Sequence, residues 1–222
     1  MHDEKVLTRF IRDVALHRLE VMREDGVYRH LRFKRPGTSA YYFDIVTWPG
    51  YLTVTGDMGT WTFSREHDMV RQFFPSDIAG GINPGYWSEK IEAGTCGGYD
   101  KICMEFDEKE FDKRLDEWLA GWREECGDDC DEDQIESALD TVADLKRSGF
   151  NDSRDALNAV YNAEWPDGVS SWDIAEGMYG INTHSHHFLW ICYAVVWGIG
   201  RYEASKIISG AVDKFIAFRA TA

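Results

Sequence analysis

Two rhythms of apolar and polar residues divide this 222-residue chain. At the start, Leu7, Phe10, Ile11 and Val14 recur at helical spacing, which predicts a helix over residues 4–16 with those four side chains inward. The rhythm then changes to alternation. Leu19 and Val21 alternate with polar neighbours as far as Asp25-Gly26, a pair that favours a hairpin turn because both residues tolerate positive φ. Val27, Arg29, Leu31 and Phe33 share one strand face, and Tyr28, His30 and Arg32 share the other. Pro36-Gly37, Trp48-Pro49-Gly50 and Gly56-Asp57-Met58-Gly59 then separate three more β-rich runs, at residues 40–47, 51–55 and 60–64. Five runs joined by short turns predict a five-stranded antiparallel meander.

From Glu66 the period is helical again. Met69, Val70, Phe73 and Phe74 make a short helix stopped by Pro75, and Asn83-Pro84 opens another through Trp87 and Ile91. Ile102, Met104 and Phe106 alternate as a further strand. Beyond Asp107, which forms a capping-box pattern with Glu110, the pattern is mostly helical. Phe111, Leu115, Trp118, Leu119 and Trp122 form one apolar stripe. A second helix over residues 131–146 turns Ile135, Leu139 and Val142 inward, and Ser153 caps a third through Tyr161. An apolar helix over residues 185–201 and a last one over 204–218 complete the chain. The expected fold is α+β: an N-terminal helix and meander over residues 1–106, and a helical half over 107–222, in one continuous domain. The aromatic helix 185–201 is the expected cover for the sheet's apolar face.

Composition agrees with a globular protein: 44% of residues are hydrophobic and 14% aromatic. The longest apolar run, residues 188–199, falls short of the ~20 residues that span a bilayer. The first ten residues hold no apolar segment of the kind a secretory signal needs. Five irregularly spaced cysteines (Cys96, Cys103, Cys126, Cys130, Cys192) suggest free thiols in a reducing cytoplasm.

Charge changes the picture most. The net charge is −15, and residues 105–144 hold seventeen acidic residues against four basic ones. That balance disfavours direct contact with nucleic acid or an anionic membrane, and favours a basic partner. Glu108 and Asp112, Asp112 and Asp116, and Glu132 and Glu136 are like charges four apart on a helix, which repel. Solubility alone would permit interspersed lysines, so the imbalance points to a used negative field. The residues expected to meet the partner are Asp116, Glu117, Glu124, Glu125, Asp128, Asp129, Asp131, Glu132, Asp133 and Glu136.

Catalytic signals are weaker. His184, His186 and His187 are metal candidates, but a zinc site needs three or more ligands in tetrahedral array, and solvated imidazoles at a helix cap explain the cluster as well. Cys126-Gly127-Asp128-Asp129-Cys130 reads as a metal clip, a disulfide or a plain helix connection. A calcium loop counted from Asp128 fails at its sixth and twelfth positions, which are Asp133 and Leu139. Arg29, on an apolar strand face, requires a partner such as Asp44 or Asp57. No catalytic residue set and no cofactor is implied.

The segment from Asp25 to Phe74, containing VYRHLRF and YYFDIVTWPGYLTVTGDMGTWTFSR, resembles accessory proteins of tailed phages and prophages. INPGYWSEKIEA and FLWICYAVVWGI are similar to further parts of the same family. The resemblance implies a setting in a bacterial cytoplasm, where such proteins include inhibitors of host defence, anti-CRISPR proteins among them. The expected function is binding and inhibition of a host defence nucleoprotein through an acidic surface that mimics nucleic acid. The alternatives are a metal-dependent hydrolase acting on nucleotides or nucleic acid, through His184–His187 or through Arg29, His30 and Asp57, and a phage scaffold protein.

Overall fold

The computed structural model describes residues 2–94, 103–127 and 131–221. The fold is α+β: an N-terminal helix, an antiparallel meander and a mostly helical remainder. The chain divides into two compact units, residues 1–96 with 184–222, and residues 97–183. The C-terminal half therefore contributes to both.

In the first unit the elements are α1 (His2–Val14), β1 (Arg18–Asp25), β2 (Tyr28–Lys34), β3 (Phe43–Trp48), β4 (Tyr51–Gly56), β5 (Gly59–Ser64), α2 (Met69–Gln72), α3 (Pro84–Ser88) and β6 (Ile91–Gly94). The sheet runs β1-β2-β3-β4-β5-β6, each strand antiparallel to its neighbour. Its register stacks Leu31, Ile45, Val54 and Trp61 across four strands on one buried face. The other face carries cross-strand threonine pairs, with Thr53 and Thr62 bonded at 2.8 Å and Thr55 and Thr60 at 2.7 Å. Alternation of this kind is what a sheet with one covered face demands.

The sixth strand was not expected. Ile91–Gly94 pairs with β5 but is too short to show a period, and it follows directly on α3, so its sequence reads as the end of that helix. In α1 the buried line is Val6, Phe10 and Val14, whereas Ile11 is 44% exposed; the apolar face is rotated from the one expected.

The cover for the sheet is α8 (His186–Thr221), preceded in the second unit by β7 (Met104–Phe106), α4 (Glu108–Cys126), α5 (Glu132–Ser148), α6 (Ser153–Asn162), α7 (Ser171–Gly177) and β8 (Asn182–His184). Residues 188–196 of α8 are buried on every side, as a helix apolar all round must be. Trp190 lies between the sheet and α1: its ring is 5.7 Å from Phe43 and 5.0 Å from Phe10, and its indole Nε1 donates to Asp13 Oδ2 at 3.0 Å. Two glycines admit this close approach. A Cβ at Gly198 would stand 2.7 Å from Ile45 Cδ1, and one at Gly200 would stand 2.3 Å from the Ser76 carbonyl oxygen. The expected break near residue 202 is absent; α8 is one 36-residue helix, about 54 Å long at 1.5 Å per residue.

In the second unit β7 and β8 form a two-stranded sheet of their own. Phe111 and Leu115 of α4, Val142 and Leu145 of α5, Ala156 and Val160 of α6, and Ile174 and Ala175 of α7 share one core. Trp118 and Leu119 pack against it half-buried. Leu139 is 42% exposed, so the inward line of α5 runs through Ala138, Val142 and Leu145, not through Leu139. Asp152, not Ser153, caps α6; its side chain accepts from Asp155 N at 2.9 Å.

Candidate acidic binding surface

The two units differ sharply in charge. Residues 97–183 hold twenty-four acidic and eight basic residues, whereas the rest of the chain holds fifteen acidic and sixteen basic. The second unit thus carries −16 and the first +1.

Not all of those carboxylates are available to a partner. On α4, Glu110 and Glu117 are bracketed by Lys113 and Arg114, and Asp116 pairs with Lys146 of α5. Asp116 and Glu117, both expected at the interface, are therefore engaged within the chain. Asp112 lies beside them with Oδ1 buried and without a hydrogen-bond partner. Burial pushes its carboxyl up from the ordinary value; Lys146 opposes this, and Glu108 and Asp116 add to it. The like-charge repulsion expected from four-residue spacing is present at this point.

At the start of α5 a different force explains the acids. The Asp131 side chain accepts from Gln134 N at 2.8 Å, and the Gln134 side chain accepts from Asp131 N at 3.3 Å, a reciprocal capping box. Glu132 and Asp133 follow in the first turn, where the helix dipole stabilises negative charge. These three carboxylates have a structural reason to be where they are. Asp128 and Asp129 lie outside the described residues.

What structure alone does not account for is the outer face of α5 beyond Asp133. Asp133, Glu136, Asp140 and Asp144 lie along one side of the helix, spaced by three or four residues, and line a groove of about 670 Å³. Its other wall comes from Ala159, Asn162, Ala163 and Glu164. Thr141 bridges the two walls, its hydroxyl donating to the Glu164 carbonyl at 2.7 Å. Among the described residues no lysine or arginine lines the groove. Asp144 alone of the five carboxylates has a described cation, Arg147, at the exposed end of the helix. Glu136 with Asp140, and Asp140 with Asp144, repel by a few tenths of a kcal/mol each. Glu124 and Glu125 stand exposed at the end of α4. Asp140, Asp144 and Glu164 were not among the expected residues; the groove adds them because α5 and the end of α6, with the residues after it, converge on it.

The catalytic candidates are not gathered. Arg29 points to the covered face of the sheet and is 3% exposed; its partner is Asp68, which replaces the expected Asp44 or Asp57. His30 lies on the opposite face, its Nε2 2.8 Å from Asp44 Oδ2, where Arg32 makes a two-pronged bond to the same carboxylate. Asp57 accepts from Tyr41 N at 2.8 Å in a separate turn. His184 ends β8 with its ring 5.7 Å from Phe188, while His186 and His187 open α8, whose cap is Ser185. Among the described residues no group of three or more His, Cys, Asp or Glu side chains is placed to hold a metal ion. Cys126 is disulfide-bonded, which corrects the reading of all five cysteines as free thiols. No helix among the described residues is long and apolar enough to cross a membrane.

No protein-family model, curated protein or solved structure matches the chain.

Proposed function

We propose that this chain is a binding protein whose helical unit docks against a basic protein surface through the α5–α6 groove. The segregation of charge carries this reading: one unit bears the whole net charge, and a groove in it is lined by five carboxylates and, among the described residues, no cation. A field of one sign in a concave surface raises the encounter rate with an oppositely charged partner and makes association sensitive to salt. The partner class is a basic groove that otherwise holds nucleic acid. The resemblance of residues 25–74 to phage accessory proteins supports a bacterial cytoplasm as the setting and a host defence nucleoprotein, such as a CRISPR effector, as the target to be inhibited.

The test is competition. A purified CRISPR effector is loaded with fluorescent DNA and titrated with the chain at low and at high salt. Displacement at low salt that weakens as salt rises supports the proposal. Displacement undiminished in a Glu136→Lys/Asp140→Lys/Glu164→Lys variant overturns the groove as its origin.

A further inference from the structure

The outer half of α8 buries no described side chain, although Lys206 pairs with Glu24 of β1 at 2.8 Å. Beyond Tyr202, which is buried, no described side chain of the helix is buried. Yet this half is strongly apolar: Ile207 is 74% exposed, Ile208 64%, Val212 50%, and Phe215 and Ile216 60% each. At those exposures the five side chains offer on the order of 600 Å² of apolar surface, at the upper end of the largest patch on a typical monomer and approaching the ~800 Å² per partner of a standard interface.

We propose that this segment pairs with the same segment of a second copy of the chain, as an antiparallel two-helix coil. The spacing supports it: Ala204, Ile208, Ala211, Phe215 and Phe218 recur at intervals of four, three, four and three, the seam of a coiled coil. Ile207 and Val212 flank that seam, while Lys206, Ser209, Gly210 and Asp213 lie on the opposite side. The antiparallel direction follows from size: a parallel pair would set Phe215 against Phe215 and Ala211 against Ala211. In the antiparallel pair, Ala211 of one copy lies opposite Phe215 of the other, a small side chain receiving a large one. A lipid surface fits less well, because helices that lie on membranes carry a Lys- and Arg-rich polar face, and here Glu203 and Asp213 interrupt it.

Sedimentation equilibrium on the full chain over a dilution series tests the proposal. The expected result is twice the monomer mass, falling to the monomer mass in an Ile208→Asp/Phe215→Asp variant that keeps the wild-type thermal transition, since both residues lie outside the core. A wild-type chain that stays monomeric, or a variant that stays dimeric, overturns it. So does a monomeric wild type that co-sediments with phosphatidylcholine–phosphatidylglycerol vesicles, which would assign the stripe to lipid.

Discussion

Arg29 and Asp68, 39 residues apart, meet in a two-pronged ion pair beneath the sheet, with Nη1–Oδ1 at 2.9 Å and Nη2–Oδ2 at 2.8 Å. Their side chains are 2% and 13% exposed. Tyr202 of α8 donates its hydroxyl to Glu24 of β1 at 2.6 Å. Asp68 caps α2 as well, accepting from Val70 N and Arg71 N. One buried ion pair thus ties strand and short helix together. Removing one member of such a pair leaves the other charged and buried, which costs about 3–5 kcal/mol. Asp68→Ala is expected to destabilise the chain by that order in urea unfolding, and Arg32→Ala by less, because His30 still bonds the Asp44 carboxylate.

The pH dependence has a definite sign. Burial tends to raise the carboxyls of Asp44 and Asp68, but hydrogen bonds and ion pairs with Arg32 and His30, and with Arg29, outweigh it and hold both below the ordinary 3.8. A carboxyl lowered in the folded state contributes stability above its unfolded value and loses it as the pH falls through the folded value. Urea midpoints are expected to hold at moderately acid pH and to drop steeply below about pH 4. In an Asp44→Asn/Asp68→Asn variant the drop should be shallower, from a lower plateau.

Asp112 has the opposite sign. Its carboxyl is raised, chiefly by burial, so the folded state favours the protonated form and the charged form destabilises it at neutral pH. Asp112→Asn is therefore expected to raise the thermal midpoint at neutral pH and to leave it nearly unchanged in acid. A lowered midpoint at neutral pH would show that the carboxylate is used.

Three glycines of α8 make a graded series. Alanine favours a helix over glycine by about 1 kcal/mol. At Gly210 nothing lies within 4 Å of a new Cβ, so Gly210→Ala should stabilise by up to that amount. At Gly198 the obstacle is the tip of Ile45, which can shift, and the gain should be cancelled or slightly reversed. At Gly200 the obstacle is the Ser76 backbone carbonyl, so Gly200→Ala should destabilise by about 1–3 kcal/mol, as overpacking does. Thermal midpoints in the order Gly210→Ala, Gly198→Ala, Gly200→Ala check this.

Much of the fold was legible in the sequence. The alternation in β1 to β5 survives because one face is buried and the other wet, and the capping residue Asp107 announces its helix directly. What the pattern did not show were β6, α7 and β8, four, seven and three residues long, too short to display a period. The continuity of α8 was hidden because its inner half is apolar all round and its outer half amphipathic, two patterns that read as two helices. The acidic surface was legible as composition but not as geometry. That Lys146 neutralises Asp116, 30 residues away, and that Glu164 lines the same groove as Asp140, depend on how helices pack.

The account turns on whether the α5–α6 groove is used. The most direct measurement is capture of partners from bacterial lysate by the immobilised chain and by its Glu136→Lys/Asp140→Lys/Glu164→Lys variant, each at low and high salt. The prediction is that the wild type retains a basic nucleic-acid-handling complex at low salt and releases it at high salt, and that the variant, folded by circular dichroism, retains none. Equal retention by wild type and variant, or retention indifferent to salt, would contradict it.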